Sequence, residues 1–82
     1  MLHYSDGGPG PTFKLVRVHA PKDGTFEQWS NAPAQRWNPG GWYDFPQAQD
    51  QILNSGELFL VDDSEVPEIQ AQVAAHYQPV AG

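Results

Sequence analysis

Along this chain the apolar positions change their period, and each change marks an element. From Thr12 to Ala20 the run Thr-Phe-Lys-Leu-Val-Arg-Val-His-Ala is rich in β-branched residues. At a two-residue period it sets Phe13, Leu15, Arg17 and His19 on one face and Lys14, Val16, Val18 and Ala20 on the other, which predicts a strand. Pro21-Lys22-Asp23-Gly24 supplies the fixed φ, the local side-chain hydrogen bonding and the positive φ that tight turns use. Two readings compete for Thr25 to Trp29: a return strand closing a hairpin, or a short helix, because Phe26 and Trp29 are spaced i, i+3. Residues 30–41 are irregular, but Asn38-Pro39-Gly40-Gly41 is a second turn signal between Gln35-Arg36-Trp37 and Trp42-Tyr43, and it predicts a second short hairpin.

The period then lengthens. Phe45, Ala48, Ile52 and Leu53 form one stripe at helical spacing, with Asp44 as N-cap, Gln47 completing a capping-box variant and Pro46 in the first turn. This predicts a helix over 45–54, stopped by Asn54-Ser55-Gly56, with Gln and Asp on its other face. Leu58-Phe59-Leu60-Val61 is a short unbroken apolar run, as expected of a strand buried on both faces in the centre of a sheet. Val66, Ile69, Val73, Ala74 and Tyr77 make a second helical stripe, which predicts a helix near 66–77 capped by Ser64 or a neighbour. The expected domain is α+β and spans residues 12–78. It has a small, mainly antiparallel sheet of about three or four short strands, covered on one face by two C-terminal helices. Residues 1–11, whose Ser5–Pro11 stretch holds three glycines and two prolines, read as a flexible lead-in, and 79–82 as a frayed tail.

Composition narrows the picture. Eighty-two residues support one core, and with 39% apolar residues and no cysteine that core has neither disulfide nor thiolate-zinc support. The first residues lack the basic and apolar regions of a secretory signal, and no apolar run approaches the roughly 20 residues that span a bilayer. A cytoplasmic location is the expectation.

Charge is segregated along the chain. Residues 1–41 carry Lys14, Arg17, Lys22 and Arg36 against Asp6, Asp23 and Glu27, while residues 42–82 carry seven carboxylates and no Lys or Arg, for a net −6 overall. Such a field favours basic partners and opposes direct binding to nucleic acid, whose affinity comes largely from neutralised phosphates. The four bases could at most form a local patch.

Candidate chemistry is sparse. His3, His19 and His76 are too scattered for a sequence-local ligand set, no serine lies in a nucleophile-elbow context, and the prolines of Gly7–Pro11 remove donors that a phosphate loop needs. No catalytic residue, cofactor or metal is assigned. Asp62-Asp63-x-Glu65-x-x-Glu68 is the densest carboxylate group, and its plain reading is helix capping and dipole compensation. The aromatic segment from Trp29 through Trp37, Trp42 and Tyr43 to Phe45 is either the core of a domain short of aliphatics or a source of binding anchors.

These features lead to a non-catalytic interaction protein that meets a basic protein surface through Trp37, Trp42, Tyr43, Asp62, Asp63, Glu65 and Glu68. A sharper form is an inhibitor whose carboxylates imitate nucleic-acid phosphates and occupy a nucleic-acid-handling protein. Some small acidic phage-encoded inhibitors, among them anti-restriction and anti-CRISPR proteins, act this way; the analogy is one of size and charge, not of motif. The alternatives are a small structural or assembly subunit of virion type, and a metal-dependent enzyme or small-ligand binder built on Asp62, Asp63 and the tryptophans.

Overall fold

In a computed structural model of the chain, describing residues 1–6, 14–54, 56 and 58–77, Leu15, Val16 and Val18 have no solvent exposure. They belong to β2 (Leu15–Val18), the central strand of an antiparallel five-stranded sheet. The other strands are β1 (Leu2–Ser5), β3 (Ala34–Asn38), β4 (Gly41–Asp44) and β5 (Phe59–Val61), in the order β4-β3-β2-β1-β5. Helix α1 (Phe26–Ser30) precedes β3, α2 (Ala48–Asn54) precedes β5, and α3 (Val66–Tyr77) follows a single 3-10 turn at Asp63–Glu65. The α+β class and the antiparallel sheet are therefore as expected, with one strand more.

Because side chains alternate along a strand, the apolar residues of β2 divide between two faces. Val16 and Val18 pack with Ala20, Ala34, Ala48 and Leu58, joined by Leu2, Tyr4, Trp29 and Ile52. Leu15 packs on the other side with Ile69 and Val73 of α3, joined by Trp37, Trp42 and Val61. The two C-terminal helices thus lie on opposite faces, not on one, since each face of β2 offers an apolar surface to cover.

Thr25-Phe26-Glu27-Gln28 resolves in favour of the helix. Thr25 Oγ1 accepts from the Gln28 amide at 3.1 Å while Gln28 Oε1 accepts from the Thr25 amide at 2.9 Å, a reciprocal cap for α1. The 21–24 turn therefore leads into a helix, and the return strand is β3, with Val16 opposite Arg36 and Val18 opposite Ala34. The hairpin at Asn38–Gly41 forms as expected: Trp37 faces Trp42 across it, and Gly41 has a φ of 128° that side-chain-bearing residues rarely adopt.

Three further expectations are corrected. The apolar run at 58–61 is not a central strand. β5 lies at the edge beside β1, and Phe59 and Leu60 are 54% and 62% exposed, because burial here comes from position in the strand order and β2 already fills the centre. Leu2–Ser5, read as part of a flexible lead-in, is an internal strand paired to β2 on one side and β5 on the other. The Lys14 amide donates to Asp6 Oδ1 at 3.0 Å, tying the two ends of the β1–β2 connection; Gly7–Pro11 and the 79–82 tail lie outside the described residues. Asp44 pairs with Gln35 at the end of β4, and α2 starts at Ala48 after a turn in which the Phe45 amide donates to the Ala34 carbonyl.

Gln49, expected on the polar face of that helix, is buried. Its Nε2 donates to the carbonyls of Trp29 at 3.1 Å and Ala32 at 2.8 Å, fastening α2 to the segment between α1 and β3.

Two substitutions test this account by urea denaturation. Leu15→Ala removes the side chain that anchors α3 and is expected to cost about 2–5 kcal/mol. Gln49→Leu removes a donor from both carbonyls, leaving the Trp29 oxygen with the Ala32 amide at 3.2 Å, and is expected to cost about 1–3 kcal/mol, although leucine is the more apolar residue.

Candidate functional site

β5 leads directly into a carboxylate-rich start of α3. Asp62 closes the strand and turns the chain: its Oδ1 accepts from the Ser64 amide at 3.1 Å, and Glu65 Oε2 accepts from the Asp62 amide at 2.9 Å. Where a cap by Ser64 or a neighbour was expected for the helix itself, Asp62 caps the 3-10 turn that runs into α3, and this consumes part of the acid group. Glu68 stands exposed in the first turn of α3.

Asp63 does something else. His3 Nδ1 donates to its Oδ1 at 3.1 Å, and Lys22 Nζ donates to its Oδ2 at 3.2 Å. One carboxylate thereby joins β1, the 21–24 turn and the entry to α3. The Lys22 ammonium, and after it His3, holds the Asp63 carboxyl below its ordinary value.

From His3 the contacts continue across the sheet. The His3 and Trp42 rings lie 6.2 Å apart, and the Arg17 guanidinium sits 3.9 Å from the centre of a Trp42 ring. Arg17 Nε donates to Gln35 Oε1 at 2.8 Å, and His19 Nε2 lies 3.0 Å from the same oxygen. Burial lowers the Arg17 pKa from its ordinary value, yet a guanidinium stays charged in a protein. Register puts Arg17 and Arg36 on opposite faces, so the four bases form no single patch.

The sequence-chosen residues are thus divided. Trp37 and Trp42 are half-buried on the α3 side of the sheet, where they pack on the Leu15, Ile69 and Val73 cluster. Tyr43 is exposed on the opposite side. Trp42 approaches the acid group through His3 and Asp63, while Asp62, Asp63, Glu65 and Glu68 remain together because they are close in sequence. Trp29, a residue of α1, packs on the other core, its indole N–H donating to the Tyr4 hydroxyl at 3.0 Å.

Two residues absent from the sequence-based choice come forward. Phe59 and Leu60 expose their side chains on opposite faces of the edge strand immediately before Asp62. The signal for them was present: a short apolar run closed at both ends by acids (Glu57 and Asp62) is the pattern of a hydrophobic strand flanked by charges that limit aggregation. At the end of this strand a cleft of about 340 Å³ opens, lined by Leu2, Leu60 and Val61 together with Lys22, Asp62 and Asp63. Among the described residues no three His, Cys, Asp or Glu side chains converge as a metal site would require, and no helix is long and apolar enough to cross a membrane.

Compared with protein-family models, curated proteins and solved structures, the chain finds no match.

The Asp63 tie has a pH signature. Its folded-state pKa is depressed, so its contribution is present above the unfolded aspartate value of about 3.9 and is lost as pH falls through the lower folded value. Asp63→Asn is expected to lower Tm slightly at neutral pH, with the gap to the parent protein closing on acidification. A gap that stays constant down to pH values below that range would show that the carboxylate charge is not what holds the three segments.

Proposed function

We propose that the protein is a non-catalytic binding module that docks on a basic protein surface. The observation that carries this reading is adjacency: at one end of the sheet, exposed apolar Phe59 and Leu60 run directly into Asp62, Asp63, Glu65 and Glu68, in a chain of net charge −6. Exposed apolar side chains supply contact area whose burial stabilises a complex, and the acids around them steer a cationic partner and reject anionic ones. Direct binding to nucleic acid is disfavoured by the same acids.

In this proposal the anchors are Phe59 and Leu60. Trp37 and Trp42 support the sheet beneath α3, and Tyr43 belongs to the other side. A nucleic-acid-handling protein suits the site as partner, since its surface for phosphates is basic and the carboxylates would occupy it in the phosphates' place. The protein would then act as an inhibitor by competition.

The test is affinity capture from host lysate at low and high salt, with Asp62→Asn and Glu68→Gln combined in one variant and Phe59→Ser in another. Asparagine keeps the helix cap while removing charge, so the first variant separates electrostatics from folding. A basic, nucleic-acid-handling protein is expected in the low-salt eluate, lost at about 1 M salt, where screening acts within roughly 3 Å, and depleted by both variants. Recovery of the protein alone, with light scattering showing a closed oligomer, would overturn the proposal in favour of an assembly subunit.

A further inference from the structure

We infer that the partner is engaged by strand addition: an extended segment of a basic protein, apolar at alternate positions and carrying Lys or Arg at the end that meets Asp62 and Asp63, pairs with the outer edge of β5. This rests on the proposed docking function and specifies how the surface is used.

The sheet has two edges, and they differ. β4 carries Asp44 within the strand and the constrained Gly41, features that discourage a further strand. β5 reads Phe-Leu-Val, with no charge, proline or glycine inside it, and among the described residues it pairs only with β1. An edge strand leaves alternate backbone N–H and C=O groups unpaired, a ready template for another chain. Exposed side chains on both faces of β5, Phe59 on the α3 side and Leu60 on the other, offer an incoming strand contacts on either side.

Charge selects the occupant. Asp62 and Asp63 follow the strand at once, and the neighbouring cleft has apolar walls at Leu2, Leu60 and Val61. Lys22 and His3 already hold Asp63 at the same cleft, so an incoming lysine or arginine suits Asp62, its stem on the apolar wall and its head on that carboxylate. Lys22 already puts an ammonium on Asp63 at 3.2 Å, an internal instance of the contact. A second copy of this chain carries the same net charge of −6, so bringing two copies together adds like charge and disfavours self-pairing.

The probe is a synthetic peptide of alternating valine and threonine with lysine at both ends, titrated into the full chain at low salt and followed by amide NMR shifts and hydrogen exchange. Two further peptides carry N-methyl groups on one or the other alternating set of amides, which leaves charge unchanged but removes donors. Strand addition predicts binding localised to residues 59–61 and their neighbours, slowed exchange there, and loss of binding for one methylated peptide but not the other. Phe59→Lys, a charge placed in the edge, should weaken binding several-fold.

Equal, salt-sensitive binding of both methylated peptides would overturn strand addition while leaving electrostatic docking standing. No binding by any of the peptides would overturn strand addition, with capture of a basic partner still deciding the docking function on its own. Self-association through β5 without peptide would overturn it as well, by assigning the edge to a second copy.

Discussion

Everything in this molecule depends on one four-residue strand that is apolar on both sides. Leu15, Val16 and Val18 are fully buried, and because successive side chains point in opposite directions they cannot all serve one core. A chain of 82 residues is left to build two thin cores, one under α1 and α2 and one under α3. Each is short of aliphatic side chains, so each recruits tryptophan: Trp29 on one side, Trp37 and Trp42 on the other. The aromatic segment is thereby committed largely to packing, and contact with other molecules falls to whatever the two cores leave uncovered.

What they leave uncovered includes Phe26 and Leu53 on the α1–α2 side and, next to the acids, the β5 end. α3 reaches back from the edge strand toward β2 and β3 and covers the middle of its face, so Ile69 and Val73 are buried while Phe59 stays open. The polar strip of Arg17, Gln35 and His19 on that same face is internally satisfied, with Trp42 beneath the guanidinium. Asp63 closes the strip toward the edge. The apolar edge and the acids beyond it are next to each other for a covalent reason: one directly follows the other in the chain.

Local signals were legible and global placement was not. The turn at Asn38–Gly41 and the stripe of α3 could be read residue by residue, because the forces involved act within a few positions. The reciprocal pair Thr25 and Gln28 was equally local, and it settles the contest between strand and helix at 25–29. Strand order has no such signature: Leu58–Val61 has the composition of a central strand, yet the edge position follows from β1 pairing with both β2 and β5. Leu2–Ser5 is too short to display a period. Gln49 shows the limit from the other direction, since an amide on a polar helix face is buried where it donates to two carbonyls of another segment.

The division of the tryptophans between the two cores gives the molecule an intrinsic optical label on each side of its sheet. Trp29 emits from a site defined by the Tyr4 hydroxyl, and Trp37 and Trp42 from beneath α3 beside a guanidinium. If the central strand couples the halves fully, their emission changes together under denaturant. If α3 detaches first, the Trp37 and Trp42 signal departs ahead of the Trp29 signal, and the two half-cores become separable steps in a single fluorescence trace.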